Sequence, residues 1–243
     1  MPKHNNAAHI FNSFDRIRII NLEHRSDRRR EMAHQLSRVG IINDPRVEFF
    51  TALTGDPISF FSEPGHHGCY RSYVALLSEA ADAGESILIL EDDCDFIVPE
   101  IFKYRLSEKC DVFYGGYYAS DPTDLNNSDI IGSHFMGFSA LGAATAKSYF
   151  SRYLSNDFVA DSQASAQPDY NPTIRPPIDG AFVWFRRAHP ELVTVFAMLG
   201  FQRPSRTDIG SNAFYDRSPG LRSLAGMARR IRQRLFEFFN YMF

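Results

Sequence analysis

Ile87-Leu88-Ile89-Leu90-Glu91-Asp92-Asp93-Cys94-Asp95 is the stretch on which the fold turns. Four consecutive apolar residues predict a short strand buried on both faces, as strands of parallel sheets are. Four carboxylates sit at its C-terminal end, where open α/β sheets bind their ligands. Strand alternation predicts Glu91, Asp93 and Asp95 on one side and Asp92 on the other. Like charges that close repel unless protons or a cation intervene. A hard divalent ion, Mn2+ or Mg2+, held by carboxylates and substrate phosphates is one solution. A solvated acidic turn capping the next helix is the other.

Upstream, 68–83 reads as a helix closed by Gly84, and 46–51 as a strand containing Val47, Phe49 and Phe50. Before it, Ser26-Asp27 opens a helix whose apolar face is Met32, Ala33, Leu36 and Val39, stopped by Gly40. The β-branched run 16–22 predicts the first strand. Downstream, 98–108 fits a helix, 110–114 a strand, and 135–141 a strand leading into a helix that reaches Leu154. Strands alternating with helices predict an α/β fold with a mostly parallel sheet and helices on both faces. The polar segment 156–177, with Pro168, Pro172, Pro176 and Pro177, reads as a long loop of the kind that is functional or mobile. The expected organisation is an extension over 1–15, one domain over 16–216, and a tail over 217–243.

The 243 residues carry 26 Lys+Arg against 29 Asp+Glu, a net charge of −3, with 44% apolar and 23% charged residues. That length and composition suit a chain with a real hydrophobic core. The charge disfavours a nucleic-acid partner bound by blanket phosphate neutralisation. Cys69, Cys94 and Cys110 are an odd, scattered set without metal-ligand spacing, so a reducing, cytoplasmic setting is expected. Residues 1–15 lack the apolar core of a secretory signal, and no run of eighteen apolar residues predicts a spanning helix.

Asn21-Leu22-Glu23-His24-Arg25-Ser26-Asp27-Arg28-Arg29-Arg30 follows the first predicted strand. Arginine forks donate paired hydrogen bonds to phosphate, and a helix N-terminus adds partial positive charge there. Arg25 and Arg28, three apart, are expected to aim together at an anionic ligand. Arg29 and Arg30 read as a solvated basic face.

Together these segments resemble glycosyltransferase family 25, which includes lipopolysaccharide and lipooligosaccharide galactosyl- and glucosyltransferases and the collagen galactosyltransferases. Ile19-Ile20-Asn21-Leu22 with Arg25-Ser26-Asp27-Arg28 is similar to the family's opening block. Glu48-Phe49-Phe50-Thr51-Ala52 with Gly55, Gly68-Cys69 with Ser72, and 87–96 resemble successive later blocks. The stretch 138–154, Pro177-Ile178-Asp179 and Arg206-Thr207-Asp208-Ile209 complete the likeness in order. One departure stands out: the family's Ser-His pair reads Ser72-Tyr73 here. His66 and His67 lie just upstream.

The resemblance implies a GT-A-like, Rossmann-type fold and an inverting, metal-assisted transfer of a hexose, galactose or glucose, from a UDP-sugar to a glycan or lipid-linked glycan. It implies donor contacts from Asn21, Arg25, Arg28, Ser72, Glu91 and Asp92, with Glu91 working through water or ribose. Asp93 is the implied metal ligand, with Asp95 as the alternative. Asp179, after Pro176-Pro177, is the expected base that deprotonates the acceptor hydroxyl; Asp208 is the second choice. The rival classes are a degenerate nucleotide-sugar-binding protein, favoured by Tyr73 and opposed by the retained acids and arginines, and a metal-dependent phosphohydrolase or nucleotidyltransferase, which also needs carboxylates and arginines.

Over 218–243, Leu221, Leu224, Ala228, Ile231, Leu235, Phe238 and Met242 recur at helical spacing, with Phe236, Phe239 and Phe243 widening the stripe. Residues 217–243 hold six arginines and one glutamate, a net +5, which leaves −8 for the preceding 216 residues. A basic amphipathic helix of this kind suits an anionic membrane surface, peripheral on the inner face of the cell membrane. Packing on the domain or on a second protomer are the alternatives.

Overall fold

The computed structural model describes residues 10–57, 60–155, 158 and 175–203. A short 3-10 turn, Ile10–Ser13, leads into β1 (Arg16–Asn21), α1 (Ser26–Arg38), β2 (Val47–Thr51), α2 (Pro64–Ala83), β3 (Ile87–Glu91) and β4 (Cys94–Phe96). There follow α3 (Val98–Lys103), β5 (Val112–Tyr114), β6 (Tyr118–Ala119), β7 (Ile130–Ile131), β8 (Phe135–Phe138), α4 (Ala140–Leu154), α5 (Ile178–Ala188), β9 (Thr194–Phe196) and β10 (Gly200–Gln202).

Six strands form the central sheet in the order β2-β1-β3-β8-β5-β9. β1 runs parallel to β2 and β3, and β9 parallel to β5. β8 alone runs the other way, antiparallel to both β3 and β5. Five co-directional strands and one reversed strand, with helices on both faces, make the mostly parallel α/β architecture expected and are consistent with a GT-A-like fold. Two antiparallel pairs, β4-β10 and β6-β7, stand outside this sheet.

The apolar run of β3 is divided between two cores. Ile87 and Ile89 pack with Tyr70, Tyr73, Leu76 and Leu77 of α2, Tyr149, Phe150 and Tyr153 of α4, and Phe182 and Phe185 of α5. Leu88 and Leu90 face the other way, among Phe11, Phe14, Ile19, Met32 and Leu36 of α1, and Ile101 of α3. All four β3 residues are fully buried, each contributing about 1.5–3 kcal/mol of transfer free energy. Three tyrosines of the first core donate their hydroxyls: Tyr70 to the Pro176 carbonyl at 3.0 Å, Tyr73 to the Ser133 carbonyl at 2.5 Å, and Tyr153 to the Tyr149 hydroxyl at 3.2 Å.

Helix ends obey their chemistry. Gly84, at φ +67°, closes α2, and Ser139 caps α4 by accepting from the Gly142 N–H at 3.0 Å. The structure differs from the sequence reading at several points. α2 begins at Pro64, one turn before the expected start, because proline is well tolerated in a first turn. α3 stops at Lys103, where Tyr104 turns extended and the Arg105 guanidinium takes the Phe102 and Tyr104 carbonyls. Ile10, Phe11 and Phe14 lie in the core, so residues ahead of β1 belong to the domain. The described elements fall in one unit ending at Gln202. Most of 156–177, Asp208 and the striped tail lie outside the described residues. Among the described residues no helix is long and apolar enough to cross a membrane.

Candidate functional site

β1 and β3 are neighbours, so Asn21 and Glu91 end side by side at the same edge of the sheet. The chain then turns sharply at Asp92–Asp93 instead of continuing as a strand, which breaks the expected alternation of the acids. The turn aims both aspartates at α1. Arg28, in the first turn of that helix, places Nη1 2.9 Å from Asp92 Oδ1 and 3.3 Å from Asp93 Oδ2. Asn21 Nδ2 donates to Asp92 Oδ2 at 2.6 Å and to the Arg25 carbonyl at 3.3 Å. Gln202, at the end of β10, reaches Asp93 Oδ2 with Nε2 at 3.4 Å. Buried Asn21, Asp92 and Asp93 and the largely covered Arg28 therefore form one polar cluster.

Glu91 is held from the opposite side. Its N–H donates to the His134 carbonyl at 3.0 Å, and its Oε1 accepts from Ser133 Oγ at 2.6 Å. Burial is the main cause that raises its pKa, to about 8, with the charges of Asp93, Asp92 and Asp179 adding to it and the Ser133 hydrogen bond opposing them. Asp179, in the first turn of α5, thus lies within electrostatic reach of Glu91. Both also raise the Cys69 thiol, whose burial is the larger cause. The structure brings Asp179 to the same end of the molecule as the β3 acids, although 88 residues separate it from Glu91 in sequence.

Three expected residues are placed elsewhere. Arg25 does not aim with Arg28: its guanidinium makes a two-point pair with Asp27, both contacts 2.9 Å, and holds that carboxyl well below the usual range. Asp95 accepts from Gln35 Nε2 of α1 at 2.7 Å. Ser72 is fully buried, donating to the Gly68 carbonyl and accepting from the Leu53 N–H, both at 2.9 Å. It ties the segment after β2 onto α2. Two glycines make that tie possible: a Cβ on Gly55 would lie 1.8 Å from the Pro64 carbonyl oxygen, and one on Gly68 2.5 Å from that of Leu53.

Among the described residues no three His, Cys, Asp or Glu side chains converge as a metal-binding group. Part of the charge compensation first assigned to a metal is supplied by Arg28. The chemistry of the donor set still fits Mg2+ or Mn2+, which bind through one or two carboxylates and take their remaining ligands from phosphate and water. Asp93 and Glu91 are close enough for one charge to disfavour the other, the condition that a bound cation relieves. They suit an ion that takes its other ligands from outside the protein, not one caged by it.

Sequence reasoning missed Ser133, His134 and Gln202. Ser133 and His134 lie just ahead of β8, a strand whose reversed direction has no local signature, and Gln202 ends β10, which is only three residues long. His134 is buried in a niche that only glycine lines on one side. A Cβ on Gly116 would meet its Nε2 at 2.4 Å, and burial lowers its pKa to about 4, so the ring is neutral.

No protein-family model and no curated protein matches the chain. Among solved structures it is similar to one described as a glycosyltransferase involved in the glycosylation of the major capsid of PBCV-1. The two share 12% identity at a TM-score of 0.46, over 79% of this chain and 94% of that one. A likeness of that degree carries no argument about activity, which has to be read from the arrangement of Asn21, Arg28, Glu91, Asp92, Asp93 and Asp179.

Proposed function

We propose that the protein is an inverting, metal-assisted glycosyltransferase that moves a hexose, galactose or glucose, from a UDP-sugar to a glycan or lipopolysaccharide-type acceptor. The observation that carries this reading is the polar cluster at the C-terminal ends of β1 and β3, with Asp179 of α5 within electrostatic reach of Glu91. An anionic donor is met by Arg28 and the Asn21 amide, and its ribose or a water by Glu91. Asp93 is the residue to hold Mn2+ or Mg2+, which when bound offsets charge on the departing diphosphate.

The acceptor hydroxyl attacks the anomeric carbon opposite the leaving UDP. Its C–O bond forms as the bond to the β-phosphate oxygen breaks, and the diphosphate leaves with the electron pair. Asp179 takes the hydroxyl proton. Asp208 stays the second choice for that role. The basic stripe over 218–243 holds the enzyme on an anionic membrane surface, near a lipid-linked acceptor; deletion of 218–243 is expected to abolish binding to anionic vesicles.

The test is a panel of UDP-sugars with Mn2+, following UDP release together with glycosylated acceptor. Asp93→Asn is expected to abolish turnover. Asp179→Asn is expected to lower transfer by about 10²–10⁴-fold while UDP-sugar binding stays nearly intact. Normal turnover by Asp93→Asn removes the metal assignment, and release of free phosphate instead of UDP moves the protein to the phosphohydrolases.

A further inference from the structure

Glu91 is fixed by residues that have no direct part in the cluster around Arg28, and those residues are themselves tied to α2. Tyr73, in the third turn of α2, is fully buried and donates its hydroxyl to the Ser133 carbonyl at 2.5 Å. Ser133 in turn donates Oγ to Glu91 Oε1 at 2.6 Å, while the next residue, His134, accepts the Glu91 N–H at 3.0 Å. The chain can pass between Tyr73 and Glu91 because Gly132 turns it at φ +116°. On its other side, His134 is wedged against Gly116, so residues 132–134 are gripped from two directions.

We infer that Tyr73 and Ser133 are positioning residues, a two-step relay that sets where the Glu91 carboxylate points and thereby how tightly the donor is held. The inference rests on the glycosyl-transfer reading for its choice of ligand, UDP. The Tyr73 ring stands edge-on to Phe182 of α5, with centroids 5.5 Å apart, so its aromatic body is set by packing between α2 and α5. The hydroxyl is then the only part of the side chain left to do more than fill space. It does so at a backbone carbonyl, where a neutral donor is the right chemistry and a cation is not needed. This explains how tyrosine can stand where the family pattern has histidine and still serve the site. The residue acts at one remove, through Ser133.

A purely structural role for these hydroxyls predicts a lower melting temperature and nothing else. The relay predicts a split. Tyr73→Phe and Ser133→Ala, which keep ring and backbone, should each weaken UDP binding by up to about tenfold, the effect of losing one buried hydrogen bond. The KM for acceptor should not move. The double variant should bind UDP no more weakly than the worse single one, because both act along one line. Ser133→Thr, which keeps a hydroxyl, should restore affinity.

A second readout needs no ligand. Backbone hydrogen exchange over 87–95 should quicken in Tyr73→Phe and in Ser133→Ala, while exchange over the rest of α2 stays as in the wild type. Unchanged exchange over 87–95, or additive losses of UDP affinity, overturns the relay. If the wild type itself binds no UDP while exchange responds as stated, the relay stands and the donor assignment fails.

Discussion

Arg28→Met is the substitution that most directly weighs the buried cluster. Methionine keeps the apolar stem and removes the cation. In the wild type the Arg28 side chain is 11% exposed and the Asp92 and Asp93 side chains 6% each, so water cannot take over the lost charge. A charge pair at about 4 Å and an effective dielectric near 20 is worth about 4 kcal/mol before desolvation, and removing one partner of a buried pair costs about 3–5 kcal/mol. At roughly 2–4 °C per kcal/mol for a chain of this size, the melting temperature should fall by about 6–20 °C. Adding Asp92→Asn removes one of the stranded carboxylates, so the double variant should recover part of that loss, with a coupling of about 1–3 kcal/mol. Thermal and urea unfolding at pH 7.5, followed by circular dichroism, give all four corners of the cycle. A single variant melting within about 2 °C of the wild type would mean that the pair contributes no more than a surface bridge does, and the desolvation argument would be wrong.

The neutral His134 ring makes stability depend on pH in a defined window. Its pKa in the folded protein is lowered to about 4 by burial, so as pH falls the unfolded chain takes up the proton first, near 6.5. The stability it contributes is intact above pH 6.5 and is lost between 6.5 and 4, at up to about 1.4 kcal/mol per pH unit. Urea midpoints of wild type and His134→Gln should therefore converge as pH is lowered through that range; parallel lines would reject the assignment. Two glycines should respond very differently to alanine. Gly55→Ala drives a methyl into the Pro64 carbonyl and should cost more than about 2 kcal/mol, whereas Gly84→Ala, with open space around it but φ at +67°, should cost about 1 kcal/mol. Equal losses in urea unfolding would contradict the contact geometry.

The layout of the sheet was legible wherever burial wrote a period into the chain. The run 87–90 is apolar at every position because both faces of β3 are covered, and α1 shows its stripe because only Met32, Gln35 and Leu36 turn fully inward. α5 was not recognised, since Ala181, Phe182, Val183, Trp184 and Phe185 are buried in succession and mask its helical period. Nothing local distinguishes the reversed β8 from its parallel neighbours: direction is decided by connections, not by composition. At the site, Asp92, Asp93 and Arg28, each singled out by residue type, meet in one ion-paired cluster. Periodicity failed there, because a turn at Asp92–Asp93 overrides strand alternation and sends Asp95 to Gln35. Arg25 and Arg28 share a helical spacing but not a target, because Asp27 offers Arg25 a nearer carboxylate.

The tyrosine hydroxyls of the α2 core have a consequence for how the site loops can change over time. Tyr70 and Tyr73 both end on backbone carbonyls, at Pro176 and at Ser133. A carbonyl is present whatever the side chain, so both positions accept substitution as far as these bonds are concerned. They do not accept a change of length. Inserting or deleting a residue there carries the carbonyl away and strands a buried hydroxyl, at about 1–3 kcal/mol each. Surface connections ordinarily drift by gaining and losing residues; these two should instead vary by substitution at constant length, their spacing to the core kept by two rings that never reach the surface.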